Sequence, residues 1–253
     1  MNIVVQKVTC IVALVCLMAG PSLALHYEIV DLGQLMNYRL AINNQGQVIG
    51  FNNGRTVVWD NGRLITIAQG GTYAVGISEN GRVAGYRYTG EYDQFGNNLQ
   101  HAFYWDTAAR LVDLGAPGGT ESRAYDVNDS GQVVGIVSQW GSHGYEFVSS
   151  FVWQDGAWTD LSGLRPSAIN NQGQVVGTRD GKAVVWENGV FTEIGQFTPK
   201  DINELGQVVG DVQTPVGPHA CLWDSGMLTD LGTLGLKASN ASGFNDMGQV
   251  VGY

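Results

Sequence analysis

Short apolar runs alternate with polar turns along most of this sequence, and one ten-residue version of the pattern recurs six times. The copies are AINNQGQVIG (residues 41–50), GISENGRVAG (76–85), DVNDSGQVVG (126–135), AINNQGQVVG (168–177), DINELGQVVG (201–210) and GFNDMGQVVG (243–252). Their shared glycines lie 35, 50, 42, 33 and 42 residues apart, a spacing typical of repeat architectures. The repeat therefore organises the chain.

Each copy predicts a β-hairpin. An asparagine that opens the turn can bond to the backbone two residues later, and the following glycine can adopt a positive φ. The residues at these two positions are Asn43, Asn128, Asn170, Asn203 and Asn245, and Gly46, Gly131, Gly173, Gly206 and Gly248, with Ser78 and Gly81 in the second copy. We interpret them as structural rather than as a ligand-binding ring, because such a turn needs these residue types with or without a ligand.

A second hairpin follows in each repeat. An apolar run ends in tryptophan, a short turn such as DNG (residues 60–62) comes next, and another apolar run ends the unit. The tryptophans are Trp59, Trp105, Trp153, Trp186 and Trp223. One unit therefore predicts strand, turn, strand, variable loop, strand, turn and strand.

Runs such as QVVG and CLW place consecutive apolar residues on opposite faces of a strand, so both faces of each sheet must be covered. This predicts an all-β protein and a β-propeller, with six blades of about four antiparallel strands. A sandwich with one wet face, a solenoid of short regular rungs and an α/β fold each fit the pattern less well.

The two ends of the repeat region predict how the ring closes. Residues 26–35 (HYEIVDLGQL) match a fourth strand, and residues 243–253 supply a first and a second strand. We predict that the last blade is closed by both termini, which would protect sheet edges. The tryptophan strand is missing there, which leaves two alternatives: a three-stranded closing blade, or a truncated form of a longer propeller.

The first residues predict an export signal. The apolar run over residues 8–20 is too short to span a bilayer, and Ser22 and Ala24 provide small residues before a cleavage site. We therefore assign residues 1–24 to a signal peptide and residues 25–253 to a single propeller domain. An uncleaved anchor or a lipoprotein fits less well. The expected location is secreted, periplasmic or at the cell surface.

Composition narrows the possible partners. The formal net charge of −10 disfavours nucleic acid, which needs a basic face. We expect no membrane insertion after signal cleavage, and a monomer. Cys10 and Cys16 leave with the signal, so Cys221 remains alone and no intrachain disulfide is expected.

Several segments resemble the bacterial HAF-family extracellular repeat proteins. They are HAFYWD (residues 101–106), RLVDLGAPGGTESRAYDVNDSGQVVG (110–135) and HACLWDSGMLTDLGTLG (219–235). The resemblance covers nearly all of the mature chain and implies an exported repeat protein, but no reaction or active site. The His-Ala-Phe triplet itself is intact only at residues 101–103. We therefore expect His101 and His219 to bond within their own blades, and Cys221 to be a small buried group.

No catalytic, phosphate-binding or metal-binding motif is present, so the sequence predicts no cofactor, no metal and no enzyme. One acidic residue recurs at the same place near the end of each repeat unit, and we interpret each as accepting hydrogen bonds from the turn or the tryptophan indole of its own blade. These residues are Asp31, Asp113, Asp160, Glu193 and Asp230. Three hypotheses remain: a module that binds a glycan or a protein, a hydrolase or lyase with a site near the central channel, and a structural protein without a ligand. For the enzyme, the sequence offers mainly Asp126 and Asp201.

Functional variation is expected where insertions break the repeat. The loops between second and third strands expand at residues 86–100 and 136–149, on adjacent blades and on the same face. Exposed aromatic rings beside polar groups suit sugar stacking or a protein contact. The alternative is that the rings only pack on each other to order the loops. The candidate ligand-binding residues are Tyr86, Tyr88, Tyr92, Phe95, Trp140, His143, Tyr145 and Phe147.

Overall fold

The computed structural model describes residues 36–141, 144–161, 163–233 and 235–253, and all its regular elements are β-strands. Sheet 1 contains β1 (Met36–Ile42), β2 (Val48–Asn52), β3 (Arg55–Asp60) and β4 (Arg63–Gln69). Sheet 2 contains β5 (Thr72–Ile77), β6 (Val83–Tyr92), β7 (Asn98–Asp106) and β8 (Arg110–Gly115). Sheet 3 contains β9 (Glu121–Val127), β10 (Val133–Gly141), β11 (Gly144–Gln154) and β12 (Ala157–Asp160).

The remaining sheets continue the same order. Sheet 4 contains β13 (Arg165–Ile169), β14 (Val175–Arg179), β15 (Lys182–Glu187) and β16 (Val190–Gly195). Sheet 5 contains β17 (Thr198–Ile202), β18 (Val208–Thr214), β19 (Gly217–Asp224) and β20 (Met227–Asp230), and sheet 6 contains β21 (Ala241–Phe244) and β22 (Val250–Gly252). Every sheet is an antiparallel meander in chain order. The predicted propeller is thus confirmed, and the described residues form five four-stranded sheets and two strands of a sixth.

Hydrophobic clusters lie between successive sheets, which explains the consecutive valines of the repeat. Val133 packs in the cluster shared by sheets 2 and 3, whereas its neighbour Val134 packs in the cluster shared by sheets 3 and 4. Sheets 1 and 2, 4 and 5, and 5 and 6 share equivalent clusters. Alternation of side chains along a strand produces this two-sided burial. Among the described residues, no such cluster joins sheet 6 to sheet 1.

The turns of the repeat also connect neighbouring sheets. Asn128 Oδ1 accepts hydrogen bonds from the backbone N–H groups of Ser130 and Gln132, as the turn pattern predicts. Its Nδ2 also donates to the backbone oxygen of Asn170 in the next sheet, at 2.9 Å. Asn43, Asn170 and Asn203 make the corresponding bond to the next turn. The interpretation of these asparagines as turn residues alone was therefore incomplete.

The first strand of each sheet lines the central cavity, and we call it the inner strand. Each inner strand contains an irregularity in register that brings it close to the second strand. In sheet 3, Val134 pairs with Asp126 and Gly135 pairs with Ala124, so Tyr125 is the extra residue. An ideal Cβ on Gly135 would lie 2.2 Å from the backbone oxygen of Arg123. Gly85, Gly177, Gly210 and Gly252 face the same close approach in their sheets. The last glycine of the repeat is required by this contact.

The outer strands confirm several smaller expectations. His101 Nδ1 lies 2.9 Å from Asp113 Oδ1, and His219 Nδ1 lies 2.8 Å from Asp230 Oδ2, within sheets 2 and 5. Lys182 and Glu193 form the equivalent pair in sheet 4. The side-chain partner of these three carboxylates is therefore a histidine or lysine on the third strand of the same sheet, and not an indole. Asp113 and Asp230 also accept a hydrogen bond from the backbone N–H group two residues later, at Gly115 and Gly232. Cys221 is fully buried, and burial raises its pKa to about 12.

Some sequence-based predictions fall on other parts of the chain. The signal peptide over residues 1–24, the closing strand over residues 26–35, Asp31 and His143 lie outside the described residues. Of the chain that is described, no helix has the length and apolar character needed to cross a bilayer.

Candidate functional site

The two insertions extend the hairpins formed by the second and third strands of sheets 2 and 3. We call the one in sheet 2 the first hairpin, the one in sheet 3 the second hairpin, and the side of the ring that carries them the insert face. They were predicted as loops, but the structure shows paired strands. In sheet 2, Tyr88 pairs with Gln100 and Tyr92 with Asn98, and in sheet 3, Trp140 pairs with Tyr145. Cross-strand pairs stabilise such a hairpin. The aromatic residues are therefore held on regular backbone.

The first hairpin ends in a turn of the same type as the repeat turn. Asp93 Oδ1 accepts hydrogen bonds from the N–H groups of Phe95 and Asn97, both at 2.8 Å, and Gly96 has a φ of 83°. The Asp-x-x-Gly spacing at residues 93–96 is thus a local signal for the hairpin that sequence reasoning missed. This turn carries Phe95 and Tyr92 at the exposed tip, where their rings are 60% and 65% accessible.

An aromatic stack lies at the base of the first hairpin. The ring of Tyr73 is stacked on Tyr86 with centroids 5.1 Å apart, and on Phe51 at 6.3 Å, while Tyr88 meets its edge at 6.0 Å. Phe51, Tyr73 and Tyr86 line one cavity of about 80 Å³, and Tyr88 remains 37% accessible. The stack therefore combines packed rings with an exposed one.

The second hairpin places a separate aromatic group beside sheet 4. Phe147 lies under the guanidinium of Arg165, whose carbon is 4.7 Å from the ring centroid. Trp140 is 37% accessible, and its place in the hairpin extension accounts for its position outside the register of the strand tryptophans. The backbone of Tyr145 pairs with that of Trp140 in this hairpin.

Two arginines occupy the same register position on neighbouring inner strands. Tyr73, Arg123, Arg165 and Thr198 each lie five residues before the turn position of their own repeat, on adjacent inner strands β5, β9, β13 and β17. The residues two positions further along these strands, Val75, Tyr125, Ser167 and Lys200, line the central cavity. Arg123 stands over the Tyr86 ring at 5.2 Å.

The eight candidate residues thus do not form a single cluster in the structure. The structure brings Tyr86 and Tyr88 together with two rings that sequence reasoning missed, Phe51 and Tyr73. It places Tyr92 and Phe95 at the tip of the first hairpin, and Trp140, Tyr145 and Phe147 on the second, while His143 lies outside the described residues. Arg123 and Arg165 were also missed, although the common register of the inner strands could have identified them.

The middle of the channel is polar and contains the two acids named for the enzyme hypothesis. Asp126 and Asp201 lie in the wall of a cavity of about 330 Å³. Asp126 Oδ2 accepts a hydrogen bond from Ile169 N–H of the next sheet, and Oδ1 accepts one from Val127 N–H. Asp201 makes the equivalent pair of bonds to Phe244 and Ile202. Because one bond of each pair reaches the next sheet, both aspartates have a structural role.

Burial is the main cause of the raised pKa values of the carboxyl groups in this channel. It raises the pKa of Asp126 to about 7 and that of Asp201 to about 6, while the two backbone bonds to each carboxylate oppose the increase. Glu79 and Glu204 each accept a hydrogen bond from a backbone N–H group of the previous turn, at Asn44 and Asn171. Burial raises the pKa of both carboxyl groups, and neighbouring turn carboxylates such as Asp129 and Asp246 add to the increase. The described residues contain no group of three or more histidine, cysteine or acidic side chains with metal-binding geometry.

We expect Asp126→Ala to reduce the pH dependence of stability between pH 5 and pH 8. A carboxyl group with a pKa raised on folding stabilises fully below its unfolded pKa of about 4 and loses that contribution as the pH rises through its folded pKa. Asp126 should therefore make the wild type more stable at pH 5 than at pH 8, by on the order of 2 kcal/mol. The measurement is urea unfolding at both pH values.

The matched control for this change is Asp224→Asn. The pKa of Asp224 is lowered by hydrogen bonds from Gln207 and Ser225, so its contribution changes only at lower pH and the control should keep the wild-type difference. Alanine occupies the position of Asp126 in sheets 1 and 4, at Ala41 and Ala168, so the substitution suits the backbone. An unchanged difference in the Asp126→Ala variant would show that this carboxyl titrates normally.

Comparison with solved structures agrees with the fold. The β-propeller domain of the Trilobed protease from Pyrococcus furiosus, which has an open velcro topology, is 13% identical, with a TM-score of 0.52, over 84% of this chain and 76% of that one. A gluconolactonase from Xanthomonas campestris, XC5397, is also 13% identical, with a TM-score of 0.48, over 82% and 80% of the two chains. At this identity, the likeness to the Trilobed protease domain shows the propeller fold alone.

TolB from Acinetobacter baumannii is similar over 71% of this chain, at 13% identity and a TM-score of 0.46. The match spans about half of that protein, 49% of its chain. No protein-family model matches the sequence, and no curated protein matches it.

Proposed function

We propose that this chain is an exported β-propeller of the HAF-repeat type that binds a glycan on its insert face. The observation that supports this most directly is the aromatic stack of Phe51, Tyr73, Tyr86 and Tyr88, which lines a cavity and leaves Tyr88 accessible. Flat aromatic rings bind the apolar face of a sugar, while nearby polar groups orient its hydroxyls. The rest of the fold supplies a rigid support.

The second hairpin extends this surface. Trp140 is presented on paired strands next to sheet 4, and Phe147 is stacked beneath Arg165. Rings held by regular backbone lose little conformational entropy when a ligand binds. A glycan chain longer than one sugar could therefore contact Tyr88 on the first hairpin and Trp140 on the second. The position of both rings on one face favours this arrangement over two unrelated loops.

We expect Tyr88→Ala and Trp140→Ala each to weaken glycan binding by about tenfold, the effect of losing about 1.4 kcal/mol of contact. Both side chains are partly exposed, so the fold should tolerate the changes. Binding is measured first on a glycan array and then by calorimetry with the sugar that binds best.

Leu205→Ala is the matched control, because Leu205 is an exposed apolar side chain, 68% accessible, on a turn of the opposite face. It should bind the sugar as the wild type does. Unchanged affinity in both aromatic variants would disprove the insert-face site. If the wild type binds no glycan at all, the proposal fails, and a protein ligand becomes the hypothesis to examine.

A further inference from the structure

We infer that the glycan carries an acetamido group, and that the cavity beside the aromatic stack receives this group. The inference rests on the proposed function, because it names the ligand class of the same surface. It comes from one cavity, whose position, size and lining each restrict what can enter it.

The cavity lies between sheets 1 and 2, at the end of these sheets that belongs to the insert face. Phe51 and Thr56 line it from sheet 1, where they form a cross-strand pair close to the turn that joins β2 and β3. This turn is at the same end of its sheet as the first hairpin is in sheet 2. Tyr73 and Ala74 line the cavity from β5, and Tyr86 lines it from β6.

The size of the cavity admits a substituent of a sugar and not the sugar ring. Its volume is about 80 Å³, which exceeds the roughly 10–15 Å³ that a single water needs. Pockets that enclose a whole small molecule measure about 300–1,000 Å³. The pyranose ring therefore stays outside, where Tyr88 meets the edge of Tyr73 and is itself 37% accessible. Tyr88 is thus a ring on which the sugar can stack while its substituent enters the cavity.

The apolar part of the lining favours a methyl group. Ala74 is buried and packs in the hydrophobic cluster shared by sheets 1 and 2. Phe51, Tyr73 and Tyr86 are half-buried, so the wall changes from buried to accessible across the aromatic rings. A sugar hydroxyl placed among these groups would lose hydrogen bonds to water, whereas a methyl group gains free energy from burial.

The polar part of the lining favours an N–H group. Thr56 is 1% exposed, and its hydroxyl donates its proton to the backbone oxygen of Thr72. Towards a ligand this hydroxyl can therefore act only as an acceptor. An acetamido group places an N–H donor next to a carbonyl that bears a methyl group. An acetate ester has the methyl group without the N–H, and a free amine would bring a charge, which is costly to bury. An N-acetylated sugar thus matches both parts of the lining.

The experiment compares two oligosaccharides that differ only in this group. Chitotetraose and cellotetraose have the same sugar ring and the same linkage, but chitotetraose carries an acetamido group where cellotetraose carries a hydroxyl. Binding of both is measured by calorimetry. We expect the wild-type protein to bind chitotetraose at least about tenfold more tightly, the effect of a well-placed small group in an apolar pocket.

Ala74→Val is the decisive variant, because the larger side chain occupies the cavity. Pro166 and Pro199 hold the same register position in sheets 4 and 5, so this strand position accepts a side chain larger than alanine, and valine is favoured in strands. We expect the variant to lose at least about tenfold in affinity for chitotetraose and to bind cellotetraose as the wild type does. Its preference for the acetamido group should therefore disappear.

Ala68→Val is the matched control. Ala68 is half-buried on β4 and pairs with Thr56, so the same substitution is made in sheet 1 at a position outside the cavity lining. It should bind both sugars as the wild type does. A loss of affinity for both sugars in Ala74→Val, or the same loss in Ala68→Val, would overturn the inference, because packing between the sheets and not the cavity would then determine affinity.

Thr56→Val provides a second test that leaves the cavity open. It removes the acceptor and keeps a side chain of similar shape, so it should lower the affinity for chitotetraose by about fivefold, the value of one hydrogen bond, and leave that for cellotetraose unchanged. A full preference for chitotetraose in this variant would contradict the role of Thr56. Thermal unfolding of each variant shows whether altered binding comes from loss of structure.

The outcomes separate the acetamido ligand from glycan binding itself. If the wild-type protein binds the two sugars equally, prefers cellotetraose, or binds on the glycan array only sugars without an acetamido group, the acetamido ligand is wrong while glycan binding stands. If it binds no glycan on the array, the proposed function fails and this inference fails with it.

Discussion

Replacing Gly135 with alanine should lower the free energy of unfolding by at least about 3 kcal/mol, a large value for one methyl group. The added Cβ would lie 2.2 Å from the backbone oxygen of Arg123 and 2.7 Å from Cζ of Phe151. The first contact is with backbone at the inner-strand irregularity, and the second is with a fully buried ring. Neither atom can move without disturbing the packing of sheets 2 and 3.

Gly70→Ala is the matched control for this prediction. No heavy atom lies within 4 Å of an ideal Cβ at Gly70, and its φ is outside the left-handed region. The control should therefore change stability by less than about 0.5 kcal/mol. Urea unfolding followed by tryptophan fluorescence measures both variants. A stability loss of under 1 kcal/mol in Gly135→Ala would mean that the inner strand relaxes easily, and that close approach does not explain the repeat glycine.

The fold could be predicted because its signals are local and occur many times. The turn of each repeat needs asparagine and glycine at fixed positions, and consecutive valines such as Val133 and Val134 must bury opposite faces of one strand. Each signal lies within ten residues, and six copies reinforce it. Stacked sheets cover both faces of every strand, and the sequence has no helical periodicity that would indicate helices in this role.

The candidate site was predicted only in part, because its residues differ from sheet to sheet. Tyr73, Arg123, Arg165 and Thr198 share a register position, but the residue type at this position is not the same in every sheet. The insertions drew attention to Tyr86 and Tyr88, and not to Phe51, which joins them from sheet 1. The Asp93 turn did contain a local signal, since its spacing copies the turn of the repeat.

The bonds between neighbouring turns had no local signal at all. The amide of Asn128 and the carbonyl that it reaches on Asn170 are 42 residues apart. Nothing near Asn128 in the sequence distinguishes an amide that closes its own turn from one that also bonds to the next sheet. The distinction depends on how closely the inner ends of the sheets approach each other, and that is a property of the ring.

Asn128→Ala should therefore cost about 3 kcal/mol of stability, beyond the value for a turn residue alone. The asparagine is buried and makes four hydrogen bonds: two from backbone N–H groups to its Oδ1, and two from its Nδ2 to Gln132 and to Asn170. Alanine leaves the carbonyl of Asn170 and the N–H of Gln132 with fewer partners in a site that water enters poorly. Unsatisfied buried polar groups cost more than the bond itself contributes.

Asn245→Ala isolates the bond between sheets. Asn245 occupies the same turn position in sheet 6, and within the described residues its side chain bonds to Gln249 alone, accepting from N–H at 3.0 Å and donating to Oε1 at 2.8 Å. It should lose about 1 kcal/mol, the value of a partly exposed turn bond. The difference between the two variants, measured by urea unfolding, reports what the bond to the next sheet and its burial contribute together. Equal losses would show that the asparagines act within their own turns, and that apolar packing between the sheets alone holds the ring together.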